Sequence, residues 1–217
     1  MKITITSIFS AFLLLSCTFA DTPNKSNPTE SELNSKPQDL SKFSTAYFAS
    51  GCFWCVEGVY EATKGVEEVI SGYSGGTEKN PTYELVSTGR SRHAEVVKVY
   101  YDSTVVSYET LLKVFFNSHN PTTVDSQGPD TGPQYRSMIF YQNETEKNLA
   151  NNYIKQLLKD KVYPKIVTEV VPLTVFYEAE IYHQNYEKNN PNNPYVRGVS
   201  KPRIEKYKQN NPDLIKP

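Results

Sequence analysis

Between Ala94 and Tyr101 the sequence AEVVKVYY sets Val97, Val99 and Tyr101 on the side of Glu95, with Val96, Lys98 and Tyr100 opposite. That is the period-two alternation of a strand, and the face without the lysine is the one to bury. Similar runs predict short strands at Ala46 to Ala49, Gly65 to Tyr73, Arg136 to Tyr141 and Val167 to Val171. Helical spacing takes over from Cys52 to Thr63, where Phe53, Val56, Val59 and Tyr60 share a face, and again from Tyr108 to Phe116. Asn143, with Glu146 three residues on, caps a helix whose apolar face is Leu149, Tyr153, Leu157 and Leu158. Ala179 to Lys188 reads as a last short helix, and the proline-containing tail after Tyr186 as irregular chain. Strand and helix alternate but the strands are short. The fold class expected is α+β: a single-domain split βαβ (ferredoxin-like) plait with long loops and an irregular C-terminal tail.

The pattern before residue 43 is different in kind. Lys2 precedes an apolar stretch through Ile8, Phe9, Phe12, Leu13, Leu14 and Leu15, too short to span a bilayer comfortably, so residues 1–20 read as an export signal. Leu14-Leu15-Ser16-Cys17 resembles a bacterial lipobox, which would leave Cys17 as a lipidated N-terminus; a cut after Thr18-Phe19-Ala20 would instead discard Cys17 with the signal. Both readings give an exported protein, membrane-anchored or periplasmic. Residues 21–42 hold three prolines and no aromatic residue, a composition that cannot bury enough surface to order itself, and form a linker. On flexible-chain scaling it reaches roughly 25 Å. The folded, catalytic-size part is residues 43–217.

Composition narrows the partners. A chain of 217 residues that is 38% hydrophobic and 12% aromatic can bury one good core. The formal net charge of -1, or -2 once Lys2 is lost with residues 1–16, and the lack of a Lys/Arg block exclude nucleic acid as the main partner. A small or peptidic partner is expected.

The candidate chemistry is concentrated in Gly51-Cys52-Phe53-Trp54-Cys55, which holds two of the three cysteines and the single tryptophan. A cysteine where a strand gives way to a helix meets unpaired backbone N–H groups at the positive end of the helix dipole, and these favour thiolate over thiol. Cys52 is therefore expected to be the nucleophile. Cys55, one helical turn on, is the resolving thiol if the first turn loosens to allow a disulfide. A zinc half-site needs further ligands, and His93, His119 and His183 are scattered, so no metal is expected. A structural disulfide across so short a loop constrains little. Redox chemistry is the reading that remains.

Glu95 admits two readings from its register. A carboxyl among apolar side chains is held protonated and serves as a proton donor, whereas a strand-end glutamate reaches solvent or pairs with Arg90 or Arg92. The segment from Asn120 to Tyr135, about sixteen residues without element character, is long enough to be functional, and Asp125, Asp130, Gln134 and Tyr135 could converge on a pocket.

Six segments occur in the order of one family. These are Gly51-Cys52-Phe53-Trp54, Gly72-Tyr73-Ser74-Gly75-Gly76, Asn80-Pro81-Thr82-Tyr83, His93-Ala94-Glu95-Val96, Gln134-Tyr135-Arg136-Ser137 and Tyr182-His183-Gln184-Asn185-Tyr186. Over residues 44 to 207 the chain resembles the peptide methionine sulfoxide reductase A family. The resemblance implies reduction of methionine S-sulfoxide, free or in oxidised proteins and peptides. Cys52 would attack the sulfur, Glu95 protonate the oxygen, and Tyr83 and Tyr135 hydrogen-bond it. Phe53 and Trp54 would wall the substrate methyl, with Asp130 orienting the polar network. Many members resolve with cysteines in the C-terminal tail; this tail has none, which leaves Cys55 to resolve Cys52 sulfenic acid to a disulfide. The resemblance further implies a monomer, no cofactor, and an external thioredoxin-like dithiol reductant. Two other classes share some of these features: a general thiol-disulfide oxidoreductase, whose tryptophan would precede the first cysteine, and a silent binding module for oxidised peptides, which would not need Cys55.

Overall fold

The computed structural model describes residues 39–217, so the expected export signal, Cys17 and the linker up to residue 38 lie outside the described residues. The elements in order are β1 (Ser44–Ser50), α1 (Phe53–Glu61), β2 (Val66–Ser74), α2 (Tyr83–Ser87), β3 (Ala94–Tyr101) and α3 (Tyr108–Asn117). There follow β4 (Ser126–Gln127), β5 (Asp130–Thr131), β6 (Ser137–Tyr141), α4 (Glu144–Lys159), β7 (Glu169–Pro172), β8 (Tyr177–Glu178), α5 (Tyr186–Asn189) and α6 (Lys201–Asn210). Six strands form one sheet in the order β7-β6-β1-β3-β2-β8, and β4 and β5 form a separate small hairpin. Neighbours in the large sheet are antiparallel except β6 with β7. The fold is thus a mixed sheet with helices, and among the described residues no helix is long and apolar enough to cross a membrane.

The alternation of β3 has the expected sense on one face and more than the expected burial on the other. Val97, Val99 and Tyr101 join Ala46, Phe48 and Ile139 in the larger core, against α1, α3 and α6. Val96, assigned from the pattern to the outer face, is also buried, with Tyr47, Ala49, Ala94, Met138 and Phe140. The chain after β7 covers that second face with Leu173 and Phe176, so a hydrophobic residue there gains burial rather than facing water. Phe48 marks the centre of the larger core, its ring 5.1 Å from Tyr60 and 5.5 Å from Phe115.

Three expectations need correction. Leu158 is 39% exposed; the buried stripe of α4 runs through Leu149, Ala150, Tyr153, Ile154 and Leu157, and at 3.6 residues per turn Leu158 falls about 40° beyond its edge. Asn143 does cap this helix, its side chain accepting from the Glu146 amide at 2.9 Å. The helix expected over Ala179 to Lys188 is broken at Asn185, which takes φ +53 between a 3₁₀ turn (Ile181–His183) and α5. The tail is not wholly irregular: a π-helical turn (Val196–Ser200) runs into α6. Pro202 sits in its first turn, where no intrahelical N–H is required, so the proline does not exclude the helix.

Candidate active site

Gly51 makes the turn from β1 into α1. Its φ is +92, and a Cβ there would lie 2.7 Å from the Gln127 side chain, so both the backbone and the space favour glycine. The turn delivers Cys52 to the N-cap of α1, where its carbonyl accepts from the amides of Cys55 at 3.1 Å and Val56 at 3.3 Å. The Phe53 amide donates to Glu95 Oε2 at 2.9 Å. Glu95 reaches it because β3 sets its side chain on the α1 side of the sheet, opposite Tyr73 of β2.

Glu95 is 1% exposed and makes no ion pair with Arg90 or Arg92, which decides between the two readings of its register. Burial pushes its pKa up to about 8 against the pull of the Phe53 amide, with Asp130 and Cys55 raising it further. At neutral pH the carboxyl is mostly protonated. A pocket of about 330 Å³ is lined by Cys52, Phe53, Trp54, Tyr83, Glu95, Asp130, Tyr135, Asn193 and Tyr195. It brings together seven of the eight site residues expected from the sequence. The eighth, Cys55, lines a different cavity of about 410 Å³ with His119, Asp130, Arg203 and Lys206.

Both thiols are free and buried. The expected stabilisation of a Cys52 thiolate by the helix N-terminus is overturned. Burial raises the Cys52 pKa well above the ordinary thiol value, and the hydrogen bond with Cys55 and, where it is ionised, the charge on Glu95 add to it. The first amide of the helix is already given to Glu95, and the apolar surroundings outweigh the remaining dipole. Cys55 moves the other way: the hydrogen bond with Cys52 lowers it, helped by Arg203 and by the Ser200 hydroxyl at 3.2 Å, against the effect of its burial.

The aromatic wall is built from distant segments. Trp54 stacks on Tyr186 with centroids 3.7 Å apart and planes 7° apart, and its Nε1–H donates to His183 Nδ1 at 3.1 Å. Phe53 is 1% exposed and sits 5.1 Å from the His183 ring and 6.4 Å from that of Tyr83. Glu180 holds the start of α2, one oxygen accepting from the Tyr83 amide at 2.8 Å and the other from the Tyr73 hydroxyl at 2.8 Å. Burial, then Glu95 and Cys52, raise the Tyr83 pKa to about 12, and Tyr135 moves the same way, so both hydroxyls keep their protons as donors.

The long loop is more ordered than its composition suggests. Gly132 N–H closes on the Asp125 carbonyl at 2.8 Å, and the β4–β5 hairpin inside that closure projects Asp130. Gln134 is buried, its amide donating to the Ser87 carbonyl at 3.1 Å and so tying the loop to α2. Asp125, expected as a candidate for the pocket, lines a separate groove with Arg92, Arg136 and Glu169. The motifs also brace each other: the Gly76 amide donates to His93 Nδ1 at 3.3 Å, and a Cβ on Gly76 would meet the His93 ring at 2.4 Å.

Sequence reasoning missed Tyr195 and Asn193. The Tyr195 hydroxyl donates to Asp130 Oδ2 at 2.6 Å, and its ring meets Trp54 edge-on at 5.8 Å. Asn193 Oδ1 accepts from the Tyr195 amide at 2.9 Å and sets that turn. The Asn-Pro-Tyr turn at 193–195 was the available signal, obscured by sixteen tyrosines in the chain. Among the described residues no group of three or more His, Cys, Asp or Glu is placed to hold a metal ion.

Comparison with known proteins supplies an independent measure. The family profile for peptide methionine sulfoxide reductase matches residues 44–214. The chain is 52% identical over 163 residues to the peptide methionine sulfoxide reductase MsrA of Pasteurella multocida, covering 75% of this chain and 93% of the relative. It is 46% identical over 171 residues to the protein of that name from Saccharolobus solfataricus, covering 79% and 96%. Among solved structures, methionine sulfoxide reductase A of Corynebacterium diphtheriae is similar at a TM-score of 0.63 and 34% identity, over 71% of this chain and 77% of that one.

Proposed function

The chain belongs to the peptide methionine sulfoxide reductase family, an enzyme family that returns methionine sulfoxide to methionine, and we propose that Cys52 and Glu95 carry that reaction here on the S epimer. The observation that carries the proposal is the shared pocket, in which a buried thiol, a protonated carboxyl and two tyrosine hydroxyls face one small space beside an aromatic wall. The hydroxyls of Tyr83 and Tyr135 hold the sulfoxide oxygen, and Phe53 and Trp54 enclose the methyl group. Asp130, fixed by Tyr195, orients the rest of the substrate.

Cys52 sulfur attacks the sulfoxide sulfur while Glu95 gives a proton to the departing oxygen. The protonated oxygen leaves the substrate sulfur as hydroxide with the S–O electron pair and attacks the Cys52 sulfur; the Cys52–substrate S–S bond then breaks, and its electron pair goes to the substrate sulfur, which leaves as methionine. Oxygen and hydrogen end on Cys52 as a sulfenic acid, a two-electron oxidation of the protein. Glu95 also answers the raised Cys52 pKa. While it is protonated it adds no negative charge beside the developing thiolate, so substrate and proton donor favour the same protonation state.

Cys55 then forms the disulfide with loss of water, and a thioredoxin-like dithiol restores both thiols. The second thiol guards the sulfenic acid against further oxidation, a need that fits an exported enzyme. The sequence of residues 1–20 supports export, with Cys17 lipidated or removed, and nothing about the site calls for more than a monomer. The strand order β6-β1-β3-β2 and its antiparallel pairing support the finer reading of the core as a split βαβ plait.

The test is incubation of the protein with dithiothreitol and separated S and R epimers of a methionine-sulfoxide peptide, with methionine followed by chromatography. Reduction of S alone is expected. Reduction of R, or of neither while the thiols still exchange with dithiols, would overturn the proposal.

A further inference from the structure

The two thiols of the GCFWC segment face different cavities, which share Asp130 but no other lining residue. Ser200 and Arg203 are three residues apart on the continuous helical run from Val196 into α6, so they present one face. Ser200 touches Cys55 Sγ at 3.2 Å, and Arg203 lines the same 410 Å³ cavity as that sulfur. The guanidinium is fixed: Nε donates to the Ser118 carbonyl at 2.7 Å, and Nη2 to the Ser50 carbonyl at 2.9 Å and the Ser50 hydroxyl at 3.3 Å. All three acceptors are neutral, and no ion pair among the described residues includes Arg203. The guanidinium is thus held rigidly by neutral acceptors; of the carboxylates only Asp130, across the cavity, feels its charge, at a range too long for an ion pair.

We propose that Arg203 is the positioning residue that holds Cys55 as a thiolate, making it both the attacking group of the resolving step and the leaving group when the disulfide is reduced. This rests on the reading of Cys55 as resolver. The other groups facing that sulfur do not replace Arg203. Asp130 opposes it, but its carboxylate is hydrogen-bonded by the Tyr195 hydroxyl and is itself attracted to Arg203. His119 is neutral, pushed down to about 3 by burial and by Arg203 itself. Cys52 and Glu95 lie on the substrate side, and Lys206 is at the exposed rim of the cavity. The hydrogen bond with Cys52 acts most strongly to lower Cys55, and the charge of Arg203 acts in the same direction, with smaller contributions from the contacts with Ser200 and Tyr195.

In the resolving step the Cys55 thiolate attacks the sulfur of Cys52 sulfenic acid. The S–S bond forms, the S–O bond breaks, and the departing hydroxide takes a proton from solvent to leave as water. In regeneration a thiolate of the dithiol donor attacks Cys52, and Cys55 leaves with the electron pair of the broken S–S bond. The donor's second thiol then displaces Cys52 and closes the donor's own disulfide. A leaving thiol of low pKa speeds that exchange.

The test reads the pH midpoint of Cys55 alkylation in the Cys52→Ser chain, and the lifetime of the Cys52 sulfenic acid, trapped with dimedone, in chains with both cysteines. Arg203→Gln keeps hydrogen-bond donors and loses the charge; its midpoint is expected to rise by about one unit or more, as for loss of a nearby opposite charge. The sulfenic acid should persist about tenfold longer below that midpoint. Arg203→Lys should restore most of both. An unchanged midpoint in Arg203→Gln would overturn the proposal. So would a midpoint in the Cys52→Ser chain at or above the ordinary thiol value of about 8.5, a result that needs no Arg203 variant to fold. If the unaltered chain forms no Cys52–Cys55 disulfide after one turnover, the resolver reading itself fails; if the disulfide forms and only the arginine effect is missing, that reading stands and this inference alone is lost.

Discussion

The Cys52 pocket and the Cys55 cavity lie on two sides of one helical turn and differ in the sign of their electrostatics. Cys52 shares its pocket with a buried carboxyl, five aromatic side chains and Asp130, and its thiol is held up. Cys55 shares its cavity with two cations against the one carboxylate, Asp130, common to both sides, touches a hydroxyl, and its thiol is held down. Three residues of separation therefore do not make two equivalent thiols. Under the proposed roles, burial near Glu95 keeps the attacking sulfur protonated until a substrate arrives, while the arginine side keeps the second sulfur ready to follow.

The strongest way to break this comparison is to remove each sulfur in turn. Cys52→Ser should abolish methionine formation with any reductant, dithiothreitol included; turnover above background would move the nucleophile elsewhere. Cys55→Ser should release one methionine per enzyme and then stall with thioredoxin as donor, measured as burst amplitude. Continued cycling would show that the two sides are not coupled as described. Next in size is Glu95→Gln, expected to slow the chemical step by roughly a hundredfold or more, as for loss of a general acid. With Glu95 raised to about 8, the donor is present below that pH and is lost as pH rises through it. The single-turnover rate of the unaltered enzyme should accordingly fall on its alkaline side unless thiol ionisation compensates, and the Glu95→Gln profile should lack that carboxyl limb. The smallest expected effect is Tyr195→Phe. It takes the hydroxyl from Asp130, a hydrogen bond to a charged group worth about 1.5–3 kcal/mol, and should raise KM for a sulfoxide peptide about tenfold while the burst amplitude stays at one. A changed amplitude would place Tyr195 on the resolving side instead.

Legibility followed locality. The alternation through 94–101 put Glu95 on the α1 side of the sheet, and the Asn143 cap predicted the start of α4, because both depend on neighbours within a few residues. The segment 133–135 and the hairpin of Asp130 were not visible, since their order comes from the Gly132–Asp125 closure and the Gln134–Ser87 tie. Helix α6 was hidden by its own hydrophilicity: Ile204 and Tyr207 are its buried residues, and its stability comes from docking them on the core. The helix-dipole argument for Cys52 was sound as far as it went. It lacked the carboxyl that arrives from a strand 42 residues away.

The sequence alone determined the chemistry this protein can perform. Two thiols at the head of a helix, a carboxyl on the inward register of a strand, and the six motifs are properties of residue type and short-range spacing. Only the tertiary structure decided how that chemistry is tuned. The protonation of Glu95, the rise of Cys52, and the placing of Tyr195 and Arg203 beside their partners are effects of desolvation and of charges brought close in space. Such effects depend on which distant segments exclude water from a site, which no local pattern records.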